Sequence, residues 1–128
     1  MLHHVTLWVP DLERAEASWT WLLTRLGYEH DQSVERVVLL RHPDGMNVVL
    51  EQSPDMVPGM LYSRLRPGLN HMAFRVESAI TLNGIADEAT KFGWTMFDSE
   101  RHAIAGGADV LYLEDRDGFE VELVAPSG

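Results

Sequence analysis

With 128 residues, 45% of them apolar, and no long polar or Pro/Gly-rich tract, the chain fits one compact domain with a sizeable core, and its composition excludes disorder. Twenty Asp and Glu against ten Lys and Arg leave a net charge of −10, a field that repels phosphate backbones and anionic lipid, so neither nucleic acid nor membrane is an expected partner. The absence of cysteine removes disulfides and thiol nucleophiles, and no apolar run is long enough to span a bilayer.

The first strand pattern begins at residue 2 or 3, with no charged segment and apolar stretch ahead of it to act as a secretory signal, so a cytoplasmic location is expected. That strand, His4 to Val9, alternates: Val5, Leu7 and Val9 point one way, His4, Thr6 and Trp8 the other. Asp11 is placed to cap a helix whose apolar stripe is Leu12, Ala15, Trp19, Leu22 and Leu26, with Gly27 at its end. A strand from Val34 to Arg41 follows, then a turn at His42-Pro43-Asp44-Gly45, then a strand from Met46 to Gln52. Residues 56–68, rich in proline and glycine, read as a linker.

From residue 69 the pattern starts again. His71 to Val76 alternates as His4 to Val9 does, Ser78 caps a helix with a stripe of Leu82, Ile85, Ala86, Ala89 and Phe92, and Gly93 ends it. Gly106-Gly107 marks a turn. Val110 to Glu114, the turn Asp115-Arg116-Asp117-Gly118 and Phe119 to Val124 close the chain, with Glu120 and Glu122 on the face away from Val121 and Leu123. The matches Leu26-Gly27-Tyr28 with Phe92-Gly93-Trp94, and Asp44-Gly45 with Asp117-Gly118, complete an internal duplication. The expected fold is α+β, two βαβββ modules at about 1–55 and 69–126, with one strand per copy faintly written.

His4, His71 and Glu122 then share the polar face of strand segments far apart in the chain. Two imidazoles and a carboxylate are the ligand set of many mononuclear Zn, Ni, Mn and Fe sites. A lone strand histidine is more often a surface or satisfied core residue; it is the joint placement at repeat-equivalent positions that raises the metal reading.

In these residues the chain resembles the vicinal oxygen chelate superfamily, the glyoxalase, bleomycin-resistance and extradiol dioxygenase group. The resemblance rests on His4-Val5-Thr6-Leu7-Trp8-Val9-Pro10-Asp11-Leu12 with Leu26-Gly27, on Asn70 to Val76, and on Asp115 to Leu123. It implies two modules curling into a mixed-sheet cup with helices outside and a divalent metal within (Zn, Ni, Mn, Co or Fe), held by His4, His71 and Glu122. It further implies a homodimer, and it leaves open whether the ligands come from one chain or two. Relatives of the glyoxalase I and epimerase type carry a fourth ligand on the last strand of the first module. Counting from the turn glycines, the counterpart of Glu122 is Val49, and Glu51 lies two residues beyond it. Glu51 is therefore a fourth ligand reached through a bulge, an acid/base group behind the ligands, or a rim carboxylate.

The leading expectation is a lyase or isomerase that moves a proton beside a polarised carbonyl, with Glu122 or Glu51 as base. Thr6, Arg75, Tyr112 and His102 are the candidate substrate-binding residues. A dioxygenase of the same superfamily needs only the His/His/carboxylate set. Fosfomycin transferases carry a basic residue beyond the final Glu, and none follows Glu122 here. The non-enzymatic alternative is a bleomycin-resistance-like protein that binds a cationic planar ligand with Trp8, Trp19, Trp21 and Trp94.

Overall fold

A computed structural model describes residues 1–97 and 109–126, without the side chains of Gln32 and Ser33. The chain divides into two compact units, Met1–Met60 and Leu61–Gly128. The expected Gly106-Gly107 turn lies outside the described residues.

The first unit runs β1 (His4–Trp8), α1 (Leu12–Thr24), β2 (Glu29–Val34), β3 (Val37–Arg41) and β4 (Asn47–Glu51). Its sheet has the order β1-β4-β3-β2. The β1/β4 pair is parallel and the other two antiparallel, so the sheet is mixed. The Asp11 side chain accepts from the Arg14 amide and so caps α1. Gly27, at φ +93°, takes the left-handed conformation after the helix that a side chain would resist. The helix packs on β2, β3 and β4. Trp19, Leu22 and Leu23 from α1 are fully buried, as are Leu40, Val48 and Leu50 from the sheet. Each such side chain contributes roughly 1.5–3 kcal/mol of burial.

The segment read as one strand from Val34 to Arg41 is two strands meeting in a hairpin. Its turn is Glu35-Arg36, with Arg36 at φ +69°. The Asn-Gly or Asp-Gly pair that announces a two-residue hairpin is missing there, so the turn was invisible in the sequence.

The second unit repeats the order: β5 (His71–Arg75), α2 (Ala79–Glu88), β6 (Thr95–Phe97), β7 (Asp109–Glu114) and β8 (Glu120–Ala125), in a sheet ordered β5-β8-β7-β6. Ser78 caps α2 by accepting from the Thr81 amide. A 3-10 turn, Ala89–Phe92, follows α2 and ends at Gly93, φ +89°. The tighter winding rotates Phe92 off the expected stripe and leaves it exposed, while Leu82, Ile85 and Ala89 are buried. Both units are therefore βαβββ, and the protein is α+β.

Candidate metal centre

In the second unit the parallel β5/β8 ladder sets His71 opposite Glu120 and Ala73 opposite Glu122. Alternation gives His71, Glu120 and Glu122 one face, and the imidazole leans along the strand to reach the second carboxylate. His71 Nε2 stands 3.4 Å from Glu122 Oε2. Both glutamates are buried, at 6% and 7% exposure, an arrangement that is costly for carboxylates without partners. Glu120 has one: Arg64 Nε lies 3.0 Å from its Oε1, while Arg64 Nη1 lies 3.0 Å from Glu114 Oε1. His71 Nδ1 lies 2.8 Å from Asn70 Oδ1 and 3.7 Å from Glu120 Oε2.

Tyr112 is directly opposite Glu122 on β7. Burial, the charge and hydrogen-bonding pull of Glu122, and the Glu120 charge together hold the Tyr112 hydroxyl above the usual phenol range. Arg75, exposed on β5, has no ion pair with any described residue. His102 lies outside the described residues.

In the first unit His4 is exposed, pairs with Asn47 across the ladder, and has its Nδ1 2.8 Å from His3 Nδ1. Thr6 is exposed opposite Val49. The indole N–H of Trp8 donates to Glu51 Oε1 at 2.9 Å across the same ladder. β4 pairs with β1 and β3 without a register shift. The bulge that would bring Glu51 into Glu122's position is thus missing from the ladder, and Val49 is the counterpart of Glu122: Thr6 faces Val49 as Ala73 faces Glu122.

Among the described residues, no group of three or more His, Cys, Asp or Glu side chains is arranged to hold a metal ion. The two-donor pair His71 and Glu122 nevertheless has a ligand's spacing. Donors each about 2.1 Å from a tetrahedral ion stand about 3.4 Å apart, the separation of Nε2 and Oε2 here. The donor set, one imidazole nitrogen and one buried carboxylate, suits the first-row divalent ions.

A model of the Glyoxalase/Bleomycin resistance protein/Dioxygenase superfamily matches residues 3–112. The chain belongs to this superfamily. The uncharacterized protein YqjT of Bacillus subtilis strain 168 is 35% identical over 128 residues, 98% of this chain and 99% of that protein. A candidate glyoxalase from Bacillus halodurans shares 36% identity at a TM-score of 0.85, covering 98% of this chain and 96% of that one. A variant of the fosfomycin resistance protein FosX from Listeria monocytogenes, complexed with Mn(II) and 1S,2S-dihydroxypropylphosphonic acid, shares the fold at a TM-score of 0.66. It is 22% identical over 99% of this chain and 90% of that one. A protein of the same fold thus holds Mn(II), and the βαβββ units described above are those of the glyoxalase-like fold.

Arg64, Glu120 and Asn70 are not among the site residues expected from the sequence, although Asn70 and Glu120 lie within the motifs that carry the resemblance. Glu120 shares Glu122's face by simple alternation, a signal that was legible. Arg64 lies in the segment read as a linker, and nothing local marks it. Of the four tryptophans, Trp19 and Trp94 are buried in the core. Trp21 is half-buried under the Arg25 guanidinium, which leaves Trp8 as the exposed indole.

Proposed function

We propose that the protein is a metal-dependent enzyme of the glyoxalase I or epimerase type, a lyase or isomerase that moves a proton on a small oxygenated substrate. The observation that most supports this is the buried Glu122 carboxylate facing His71 Nε2 at ligand spacing. His71 and Glu122 would hold the ion, with His4 as the third ligand, from this chain or from a second copy. A divalent ion there would supply Lewis acidity toward the substrate's oxygens.

The chain's own groups take the remaining roles. Glu51 would carry the proton: Oε1 is fixed by the Trp8 indole, and Oε2 has no hydrogen bond with a described residue. Glu51 is four residues along β4 from Asn47, the residue opposite His4. Four residues of strand span about 13 Å, long for two side chains sharing one ion and suited to a group acting beside it. Tyr112, directly opposite Glu122 across the ladder, would hold that carboxylate in orientation. Arg75, free of acidic partners among the described residues, would take an anionic substrate group. The drug-sequestering reading loses support from the burial of Trp19 and Trp94, since an aromatic groove needs exposed rings.

Protein purified without chelator should contain about one transition metal per chain. The metal should be lost in His71→Ala and Glu122→Ala with the fold retained, and wild type should catalyse deuterium uptake from D2O at the carbon beside the carbonyl of hydroxycarbonyl or hemithioacetal substrates. Failure to take up Zn, Ni, Mn or Co would overturn the reading and move the assignment to a binding protein.

A further inference from the structure

We propose that Asn70 is a positioning residue that commits His71 to the tautomer with hydrogen on Nδ1 and the lone pair on Nε2, the nitrogen facing Glu122. Its purpose rests on the metal reading above; its geometry does not.

Asn70 Nδ2 donates to the Arg64 carbonyl oxygen at 3.0 Å. A carbonyl only accepts, so the amide cannot be turned round, and Oδ1 is the atom left to face His71 Nδ1 at 2.8 Å. An amide oxygen also only accepts, so Nδ1 must carry a hydrogen, and in a neutral ring Nε2 is then bare. Glu120 Oε2, at 3.7 Å from Nδ1, lies beyond hydrogen-bond distance and is already claimed electrostatically by Arg64 on its other oxygen.

The carbonyl that orients the amide is itself held. Arg64 is pinned to β7 and β8 through Glu114 and Glu120. The Tyr62 hydroxyl donates to the Leu69 carbonyl, and the Tyr62 ring stacks on Phe119 with centroids 4.1 Å apart. A stretch without helix or strand thereby presents a fixed acceptor to Asn70.

The consequence is competitive. Beside a carboxylate, an unrestrained imidazole would place its hydrogen on the near nitrogen and donate to it, here Nε2–H to Glu122, which would close both atoms to a cation. The Asn70 amide opposes that by rewarding hydrogen on Nδ1. Two bare acceptors then face each other at 3.4 Å, an arrangement that a cation stabilises.

The test uses metal-free protein labelled with 15N-histidine, in which long-range 1H–15N spectra distinguish the two tautomers from each other and from the doubly protonated ring. Wild type should show His71 with hydrogen on Nδ1. Asn70→Ala should move it to Nε2–H. His71 in the Nε2–H or doubly protonated form in wild type would overturn the proposal without any variant, as would an unchanged spectrum in Asn70→Ala. Zn2+ titration supplies the second arm: Asn70→Ala should bind about 10–100-fold more weakly than wild type. Equal affinity would overturn the positioning role. If wild type binds no Zn2+ yet shows the Nδ1–H tautomer, the metal reading fails and the assignment to Asn70 stands.

Discussion

Glu51 and Glu122 are both strand glutamates on a polar face, and register assigns them different work. Glu122 is two residues past the cross-strand partner of its histidine, close enough for contact, whereas Glu51 is four past the partner of His4 and is bonded to Trp8. Glu51→Gln keeps an oxygen for the indole N–H, so the fold should be spared. Turnover should fall by about 100-fold or more, as loss of a general base does, while metal content stays at the wild-type level. Glu122→Gln should instead release the metal. Loss of metal in Glu51→Gln would make Glu51 a ligand after all. The offset of Val49 against Glu122 was countable from the turn glycines. What the sequence could not display was the indole that holds Glu51, because a contact between Trp8 and Glu51 depends on which strand lies beside β1.

At the level of elements, the same dependence separates what was readable from what was not. Both helix starts, Asp11 and Ser78, were legible because a cap acts on amides within three residues of itself. The β2/β3 hairpin was not, because Glu35-Arg36 lacks turn chemistry and is imposed by strand pairing. The two turns of the repeat also differ. Gly118 adopts φ +89°, and the Asp115 carboxylate accepts from the amides of Asp117 and Phe119. In the first unit the His42 ring accepts from the Asp44 amide, and Gly45 is not among the glycines with positive φ. Opposite stability changes follow. Arg36→Gly should relieve a left-handed residue and stabilise by up to about 1 kcal/mol, whereas Gly118→Ala should cost about 1–2 kcal/mol. Urea midpoints of the two variants check this. The strain assignment fails if Arg36→Gly is the more destabilised of the pair.

Across the whole chain, all three tyrosines are held above the ordinary phenol pKa, and this couples stability to alkaline pH. Burial raises Tyr28; burial raises Tyr62, with Arg64 opposing and Glu120 and Asp115 assisting; burial, the charge and hydrogen-bonding pull of Glu122, and the Glu120 charge raise Tyr112. The unfolded chain releases these protons near pH 10. Above that pH the unfolded state binds fewer protons than the folded one, so stability falls as pH rises. The contribution is intact below about pH 10 and is lost progressively as pH climbs through the raised folded values. Net charge of −10 adds self-repulsion in the same direction, but salt screens that term far more than it alters a buried phenol. Melting temperature should therefore decline above about pH 10 even in high salt, and tyrosinate absorbance should develop at higher pH in the folded protein than in urea. Tyr28→Phe, which removes the hydroxyl that donates to the Met46 carbonyl, should flatten the decline while lowering stability at neutral pH. Coincident folded and denatured absorbance titrations would show that burial of the phenols has no such effect, and would leave charge repulsion alone to explain any alkaline loss.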